Sequence, residues 1–482
     1  MLIGAVACPD EPDEKVLVVD LDGTLLKSDL LFESYFSLLA RNPFRALATL
    51  AALRRGKAAF KARLAEQVTL QMATLPWRDE VVAFVKSERA RGRRIAMASA
   101  SNRRVVEAVA AHYGVFDTCF ASDGMVNLSG SAKAEALCAA FGANGFDYIG
   151  NDRVDFAVWE RAEKVSVAGA GPGLVREIQA RWPDARIFAN RRAGLRDYLR
   201  ALRMHQWLKN LLLLAPAIAA HRFDLGTIGQ ALIGLVSFSL CASGVYVLND
   251  LVDLERDRRH PTKCNRPFAS GAIPILHGLL LIPGLLGASI AAGLFLPPLF
   301  LAVLGGYLAL TLCYSVWLKR QMMLDVVVLG CLYGLRLVAG GAASNVSLSA
   351  WLAALSIFLF CSLALTKRCT ELTNRIARGG GDPAGRDYAL GDLPILQILA
   401  AASGFVAILV LALYVNSDAV RPLYHYPERL WLLCIVMVYW IGRVQILVHR
   451  GEMHDDPVVF AATDRVSMVC AAISAAVLFS GL

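Results

Sequence analysis

Carboxylates and cations cluster between residues 246 and 271, in the segment YVLNDLVDLERDRRHPTKCNRPFASG. It lies between two long apolar runs, and a loop that merely joins two membrane helices needs no such set. If the preceding helix continues, Asn249, Asp250, Asp253 and Asp257 fall at i, i+1, i+4 and i+8, so their oxygens share one helical face. Clustered carboxylates are stable together when a hard cation neutralises them, and Mg²⁺ in such sites usually also holds substrate phosphates. The segment therefore predicts a site for Mg²⁺ and phosphate.

Basic residues follow these carboxylates in the same segment. Lys263 and Arg266 are placed to bind the outer oxygens of the phosphates that the metal holds. The alternative is a solvated juxtamembrane loop with internal salt bridges. We favour the phosphate site, because the acid spacing, the trailing cations and the flanking apolar runs occur together.

The stretch NDLVDLERDRRHPTKCNRP resembles the first aspartate-rich motif of the UbiA superfamily of intramembrane prenyltransferases. The resemblance extends over roughly residues 195–482 and implies a nine-helix membrane fold that handles polyprenyl substrates. It also implies that Asp250 and Asp253 are catalytic, and that Asn249 and Asp257 join them as ligands of Mg²⁺ and its pyrophosphate.

A second set of chemical residues follows a short apolar run near the N-terminus. The run KVLVVD predicts a buried strand that continues into DLDGT, so Asp20 and Asp22 lie where open α/β sheets place their sites. DxDGT at a strand end resembles the HAD phosphohydrolase superfamily. That resemblance implies that Asp20 attacks phosphorus and that Asp22 protonates the leaving group. A carboxylate nucleophile divides hydrolysis into two steps, and Mg²⁺ offsets its repulsion from the phosphate.

Later HAD motifs appear in the expected order. By the resemblance, Ser99 in RIAMASAS holds a phosphate oxygen and Lys133 in GSAKAEAL binds the phosphate. The terminal motif, FDYIGNDRVD, has Asn151 where an acid is usual and keeps Asp155 at the second position. The implied Mg²⁺ ligands are Asp20, Asp22, Asn151 and Asp155. Asparagine supplies an oxygen without a charge, so we expect weaker metal binding, and a phosphatase of full or reduced activity.

Residues 30–80 interrupt the α/β pattern with basic, helix-like sequence. We expect a helical cap that covers the phosphatase site and selects its substrates. An amphipathic helix pair that lies on the anionic bilayer surface is the alternative, and it is compatible with capping.

The composition is that of a membrane protein. The 482 residues are 56% hydrophobic and the mean hydropathy is +0.49, which is too apolar for a soluble chain. The net charge of +9 comes from cations beside apolar runs, as the positive-inside rule describes, so no nucleic-acid partner is expected. Eleven cysteines without a CxxC pair predict reduced core residues. The first 14 residues carry no basic leader, and no signal peptide is expected.

We predict three segments along the chain: a HAD-like α/β domain over residues 1–190, an interfacial linker helix over 191–206, and a polytopic all-α membrane domain over 207–482. About nine apolar runs have membrane-spanning length, the first near 207–221. If the N-terminal domain is cytoplasmic, the loop cations lie almost entirely inside. We therefore predict an integral inner-membrane protein whose active-site loops are cytoplasmic, and leave a homo-oligomer open.

Ionisable residues at membrane depth are energetically costly and mark functional sites. Asp325 and Arg336 lie in or at the mouth of an apolar helix, and Lys367 and Arg368 end another. We expect all four to bind or orient substrate. By the resemblance, an RxxQWxKN element contributes candidates for the active-site rim, namely Arg203, Gln206, Trp207, Lys209 and Asn210. The histidines of HRGEMHDDP are irregularly spaced, so they predict a surface loop rather than a metal site.

One acid of the second acidic motif is absent, and this absence helps to indicate which donor the chain uses. Superfamily members with prenyl diphosphate donors carry a second acidic pair, but here Leu329 stands where the partner of Asp325 would be. This pattern, with the QWLKN, HPTKCNRP and LRLVAGGAA segments, resembles the decaprenyl-phosphate phosphoribosyltransferases. The resemblance implies transfer of phosphoribose from phosphoribosyl pyrophosphate to a polyprenyl phosphate, with Mg²⁺ as cofactor.

We expect the HAD domain to remove the 5-phosphate from that product. One alternative is a prenyltransferase that joins a prenyl diphosphate to an aromatic or other small acceptor. A more distant alternative is a non-enzymatic lipid-phosphate transporter, because charges within the membrane also line transport paths.

Overall fold

The computed structural model describes residues 15–123, 127–189, 193–382, 387–418, 420–453 and 457–481. These residues form two compact units. The first unit comprises the described residues up to Ala201 together with Val247–Leu280, and the second comprises Leu202–Tyr246 and Leu281–Leu482. The acid-rich segment therefore belongs to the same unit as the N-terminal domain. The predicted domains, each a single continuous stretch of sequence, had assigned it to the membrane domain.

A parallel sheet forms the core of the first unit. Its strands are β1 (Val16–Val19), β2 (Ile95–Asn102), β3 (Thr118–Ser122), β4 (Phe146–Gly150), β5 (Val165–Ala168) and β6 (Arg186–Phe188). The order across the sheet is β3-β2-β1-β4-β5-β6, and every pairing is parallel. β1 is fully buried between β2 and β4. The predicted HAD-like α/β fold is confirmed, and the carboxyl ends of three central strands meet at one edge.

Helices pack on the sheet and also form the insertion between β1 and β2. They are α1 (Leu30–Arg41), α2 (Pro43–Leu50), α3 (Lys57–Gln67), α4 (Asp79–Ala90), α5 (Arg103–Tyr113), α6 (Ser131–Phe141), α7 (Phe156–Trp159), α8 (Pro172–Arg181) and α9 (Leu195–Ala201). The predicted helical insertion between the first two motifs is present as α1 to α3. Its helix starts follow from local chemistry: the Asp29 side chain accepts from the Leu31 N–H at the start of α1, and Asn42 accepts from Arg45 at the start of α2.

Most of the remaining helices are long and apolar. The remaining helices are α10 (Ala215–Ala219), α11 (Leu225–Val252), α12 (Leu254–Arg258), α13 (Ile275–Gly293), α14 (Pro298–Val316), α15 (Leu324–Ser344), α16 (Ala350–Ala377), α17 (Leu393–Val415), α18 (Trp431–His449), α19 (Pro457–Thr463) and α20 (Arg465–Gly481). Of these, α10, α12 and α19 are short. Among the described residues, seven helices are long and apolar enough to cross a membrane, or up to eight if the bent pair α19 and α20 counts as one span. The chain is an integral membrane protein.

The predicted first span differs from the structure. Residues Met204–Leu214 form a 3₁₀ helix and α10 adds only five residues, so 207–221 is not one long apolar helix. Lys209 and Asn210 are buried in this segment, and their polar side chains need partners from neighbouring helices. Gly340 of α15 lies so close to it that a Cβ would come within 2.1 Å of the Leu213 carbonyl oxygen. Close packing of irregular backbone against α15 therefore takes the place of a span.

The acid-rich segment begins as predicted. α11 ends at Val252, Asp253 breaks the helix, and α12 resumes it for five residues. The Asp253 N–H still donates to the Asn249 carbonyl at 2.9 Å, and the Asp257 N–H donates to the Asp253 carbonyl at 2.8 Å. The helical spacing assumed for the four polar residues thus persists through the break.

Candidate functional site

The predicted phosphatase residues come together at the carboxyl ends of β1, β2 and β4. Asp20 follows β1 and is buried, and its Oδ1 lies 2.7 Å from the Nζ of Lys133 in α6. Its Oδ2 accepts a hydrogen bond of 3.1 Å from the Thr24 hydroxyl, which lies 3.3 Å from the Asn151 Oδ1. One hydroxyl thus links the predicted nucleophile to the asparagine that replaces the usual acid.

Asp22 accepts hydrogen bonds at both carboxylate oxygens. Its Oδ1 accepts from the Leu30 N–H at 2.8 Å, so this side chain also fixes the start of the insertion. Its Oδ2 accepts from Ser99 at 3.1 Å and from Ser101 at 2.7 Å. The sequence identified Ser99 but not Ser101. The alternation of side chains along a strand would have pointed to Ser101, because residues two apart lie on one face.

Asp155 organises the turn after β4. It accepts hydrogen bonds from the N–H groups of Asn151 and Asp152, at 2.9 and 3.1 Å, and from the Tyr148 hydroxyl at 2.8 Å. Tyr148 also accepts from Lys133 at 3.0 Å. Asp155 therefore positions both Asn151 and Lys133. Tyr148 is a further site residue, which the sequence analysis did not single out although it lies within FDYIGNDRVD.

The electrostatics of this pocket follow from burial. Burial raises the pKa of Asp20 to about 7, and the nearby charge of Lys133 counteracts part of that rise. Burial also lowers the pKa of Lys133, but attraction to Asp20 and Asp155 outweighs it, and the net shift is upward. The lysine thus stays charged and stabilises the ionised form of Asp20 that nucleophilic attack requires.

The insertion contributes a cation to the same pocket. Lys61 of α3 donates from its Nζ to the carbonyl oxygen of Ala100, next to Ser99 and Ser101. Burial lowers the pKa of Lys61, while Asp22 and Asp29 act in the opposite direction. The sequence analysis missed this residue, because its approach to the sheet depends on how the insertion folds back. A cap with a lysine at the site is suited to an anionic substrate.

The acid-rich segment is held together by an arginine. Arg266 Nη1 lies 3.1 Å from Asp250 Oδ1 and 2.6 Å from Asp257 Oδ2, and both carboxylates are almost fully buried. Burial raises the pKa of Asp257, and Arg266 offsets part of that rise. Asp253 lies 3.9 Å from Arg256. In the described part of the chain no three His, Cys, Asp or Glu side chains converge as a metal site, so the four-residue Mg²⁺ set stays a prediction.

Helix α1 of the insertion packs on α12 within the first unit. Glu33 forms a bidentate ion pair with Arg258, with oxygen to nitrogen distances of 2.7 and 2.9 Å. The two side chains are 3% and 7% exposed, so water screens the pair very little. Arg258 Nε also donates to the Ala269 carbonyl at 2.9 Å. This pair ties the insertion to the segment that carries the predicted Mg²⁺ ligands.

In the second unit, Asp325 is enclosed by partners. Arg368 Nε lies 2.8 Å from Asp325 Oδ2 in an ion pair that lacks hydrogen-bond geometry, and the Tyr388 hydroxyl donates to Asp325 Oδ1 at 2.6 Å. Arg368 also pairs with Glu371 and lies 3.3 Å from the Tyr314 hydroxyl. Lys367 precedes it and is half-buried. The negative charge of Asp325 is thus already balanced by a protein cation.

Arg336 is surrounded by aromatic rings. Its guanidinium lies 5.4 Å from the ring centres of Phe238 and Tyr307 and 5.3 Å from that of Tyr333. Its Nε donates to Asn210 Oδ1 at 2.9 Å. Lys209 approaches Tyr333 at 5.9 Å. The RxxQWxKN element and Arg336 therefore belong to one buried cluster, which the sequence predicted only as separate candidates.

The remaining predicted positions are less constrained. Lys263 begins the short 3₁₀ helix Lys263–Asn265, and its side chain is half-buried. His454, Asp455 and Asp456 of the predicted surface loop lie outside the described residues.

Comparison with known families identifies both domain types. Residues 211–468 match the UbiA prenyltransferase family and residues 17–158 match the haloacid dehalogenase-like hydrolases. The chain belongs to the UbiA prenyltransferase family and carries an N-terminal HAD-like domain.

Among its relatives is y4nM, an uncharacterized protein of Sinorhizobium fredii, which is 34% identical over 462 residues, or 95% of this chain and 89% of that protein. A decaprenyl-phosphate phosphoribosyltransferase of Mycobacterium tuberculosis is 36% identical over 191 residues, which cover 38% of this chain and 62% of that protein. A solved UbiA homologue from Archaeoglobus fulgidus, bound to GPP and Mg²⁺, is 16% identical, covers 59% of this chain and 99% of its own, and has a TM-score of 0.46.

Proposed function

We propose that the membrane domain transfers phosphoribose from phosphoribosyl pyrophosphate to a polyprenyl phosphate, and that the HAD-like domain then removes the 5-phosphate from the product. The observation that carries the choice of donor is the state of Asp325. Leu329 replaces its acidic partner, and Arg368 and Tyr388 occupy its oxygens. A second metal for a prenyl diphosphate donor has no free carboxylate there. The similarity to decaprenyl-phosphate phosphoribosyltransferase supports the same choice.

In the first reaction, charge changes on the ribose and on the pyrophosphate. A phosphate oxygen of the lipid forms a bond to the anomeric carbon of the ribose, and the bond from that carbon to pyrophosphate breaks. Positive charge develops on the sugar while pyrophosphate leaves with its electron pair. Preorganised charges that match this redistribution lower the barrier most. Lys263, Arg266, Lys367 and Arg368 are the proposed phosphate-binding cations, and Asp325 and Arg336 orient the groups.

The acid-rich segment has the oxygen donors that Mg²⁺ prefers. Asn249 and Asp250 present amide and carboxylate oxygens in the last turn of α11, Asp253 follows at the break with its N–H bonded to the Asn249 carbonyl, and Asp257 lies in α12. When bound, the metal would supply positive charge for pyrophosphate. Arg266 neutralises Asp250 and Asp257 in the structure, so we infer that it stabilises the acid-rich segment and shares in binding the donor.

The transferase assignment predicts that Asp250→Asn or Asp253→Asn abolishes transfer, because each removes a charge from the proposed metal set. Purified protein is incubated with labelled phosphoribosyl pyrophosphate and a polyprenyl phosphate, and label is measured in the organic phase. We expect a loss of at least about a hundredfold. Arg421→Gln, an exposed change, serves as the control.

Two outcomes would contradict the assignment. Turnover of the Asp250→Asn, Asp253→Asn double variant at the wild-type rate would exclude the metal role. Efficient prenylation of an aromatic acid by the wild-type protein would replace the donor with a prenyl diphosphate.

The second reaction uses the HAD-like site. Asp20 attacks the phosphorus of the 5-phosphate, the ester bond breaks, and the ribose oxygen takes a proton from Asp22 as it leaves. Water then hydrolyses the phosphoryl-aspartate and releases inorganic phosphate. Lys133 and Ser99 would hold the phosphate oxygens, and the side-chain oxygens of Asp20, Asp22, Asn151 and Asp155 are the proposed ligands of Mg²⁺.

Asp20→Asn should leave the transfer step intact and let the phosphorylated lipid accumulate, because the amide cannot act as the nucleophile. Mass spectrometry of lipids from the wild-type and variant reactions measures the ratio of phosphorylated to dephosphorylated product. Arg153→Gln, an exposed change beside the site, is the matched control. If both proteins yield only phosphorylated lipid, the phosphatase proposal fails while the transferase assignment stands.

A further inference from the structure

The outward face of the insertion is unusually apolar. In α2 and the turn that follows it, Phe44 is 83% exposed, Leu47 59% and Leu53 49%, whereas Ala46 and Thr49 point inward. Ala46 packs in the insertion's own core with Phe60 and Leu64. A helix that meets only water keeps its large apolar residues inside and its small or polar ones outside. Here the arrangement is reversed.

The same segment is strongly basic. Between Ser34 and Ala65 the sequence contains seven arginines and lysines and no aspartate or glutamate. Arg45, Arg54, Arg55 and Lys57 are exposed around the apolar face. Among the described residues, no carboxylate lies within ion-pair distance of Arg45, Arg54 or Arg55. These three arginines therefore lack counter-charges among the described residues.

We infer that this face, formed by Phe44, Leu47, Leu50 and Leu53 with the surrounding cations, docks on the surface of an anionic bilayer. Large apolar side chains that enter the acyl boundary and cations that meet lipid phosphates are the two features of an interfacial helix. The membrane helices of the chain keep a bilayer always within reach, so even modest affinity is enough for lasting contact. A protein partner would have to supply acidic groups to match the same cations.

The docking face connects directly to the phosphatase site. It leads within a few residues into α3, whose Lys61 reaches the carbonyl next to Ser99. A substrate headgroup that stays attached to a lipid would then meet the site at the bilayer surface. This consequence rests on the proposed phosphatase function, whereas the bilayer contact itself does not.

Photo-crosslinking tests the contact in the full-length protein. The full-length variant Phe44→p-benzoylphenylalanine is reconstituted in phosphatidylcholine vesicles that contain increasing fractions of phosphatidylglycerol. The vesicles are irradiated, and the adducts of the protein are identified by mass spectrometry. Lipid adducts whose yield grows with the anionic lipid are expected. Val154→p-benzoylphenylalanine is the matched control, since Val154 is an apolar residue of the same unit, 52% exposed, that has acidic neighbours. It should give no lipid adducts.

Two results would overturn the inference. These are an adduct of position 44 with a second copy of the chain, and equal lipid labelling of positions 44 and 154.

Enzyme kinetics test the consequence separately. The Phe44→Ser, Leu47→Ser double variant should raise the KM for a lipid-borne phosphate ester by about tenfold, because two apolar anchors are lost. Hydrolysis of soluble p-nitrophenyl phosphate should not change. An equal loss on both substrates would show damage to the site rather than loss of docking. Absence of hydrolysis by the wild-type protein would refute the phosphatase function and leave the crosslinking result to decide the bilayer contact.

Discussion

Asp29 caps helix α1 and lies close enough to Asp22 for their two charges to interact. Its side chain caps α1 by accepting from the Leu31 N–H at 2.7 Å. Burial raises the pKa of Asp29 to about 6, and the charge of Asp22 adds to the rise. The cap therefore forms at an electrostatic cost at neutral pH. Because its pKa is higher in the folded protein, this group favours folding below about pH 4, and that contribution is lost as pH rises through about 6.

Asp29→Asn should relieve this cost, because asparagine caps a helix as well as aspartate and carries no charge. Hydrogen exchange of the α1 amides should slow by about tenfold at pH 7.5 and match the wild type near pH 4. Asp29→Ala, which removes both cap and charge, controls for the loss of the hydrogen bond and should exchange faster than the Asn variant at both pH values. Equal exchange of Asp29→Asn and wild type at pH 7.5 would contradict the raised pKa.

The site residues at the ends of strands could be predicted from the sequence. The site residues that reach the pocket only through the packing of other elements could not. Asp20, Ser99 and Asn151 follow from local apolar runs that end in polar residues, and parallel strands bring such ends together. Lys61 and Tyr148 reach the site through the packing of a helix and a strand interior, which no local pattern encodes. The pairing of Asp325 with Arg368 likewise joins the first turn of α15 to the later part of α16, and it forms only when these two consecutive helices pack antiparallel.

At the scale of elements, the contact between α1 and α12 joins the insertion to the acid-rich segment inside the first unit. The buried Glu33 to Arg258 pair lies at its centre, and the exposed pair of Arg41 with Glu255, 3.4 Å apart, lies at its edge. Breaking a buried pair by removing one charge leaves the other uncompensated and is strongly destabilising, whereas an exposed pair contributes little. The two pairs thus offer a matched comparison across the same two helices.

Glu33→Gln should loosen the acid-rich segment, because Arg258 loses its counter-charge and α12 its anchor. Faster hydrogen exchange over residues 254–270 and slower transfer of labelled phosphoribose are both expected, with a local loss of roughly 3 kcal/mol. Arg41→Gln should change neither quantity measurably. Wild-type exchange in Glu33→Gln would show that α12 is held by other contacts.

Element prediction from sequence worked best where one physical preference dominated. Long apolar runs with few or no charges form helices, as in α17, which has none, and α18, which contains Arg443. The run 207–221 did not, because buried Lys209 and Asn210 need polar partners that only the folded bundle supplies. Asn210 finds them in Arg336 and Ser239. A hydropathy count registers the apolar residues of such a segment and misses the competing hydrogen bonds.

At the scale of the whole molecule, a HAD-like domain and a UbiA domain occupy one chain, and the contacts between residues, not the sequence order, decide which segments form a compact unit. The HAD-like site and the acid-rich segment of the UbiA domain lie in the same compact unit. Linear boundaries at residues 190 and 206 could not anticipate this, since Val247–Leu280 is separated from the N-terminal domain by part of the second unit. The grouping is what a chain that performs two consecutive steps on one lipid would need.

Covalent linkage should therefore limit release of the phosphorylated intermediate. A site on the same chain acts at an effective concentration of about a millimolar when the linker and geometry permit, well above that of separate molecules diluted in a bilayer. We compare wild-type vesicles with vesicles that hold an equal mixture of the Asp20→Asn and Asp250→Asn proteins, so that both activities are present but on different chains. The mixture should accumulate phosphorylated lipid early, and more so as protein is diluted with lipid, whereas the wild type should show little at any dilution. The same time course in both preparations would contradict this prediction. It would mean that the intermediate enters the bilayer before it is hydrolysed, so that the two domains share a chain without passing a product between them.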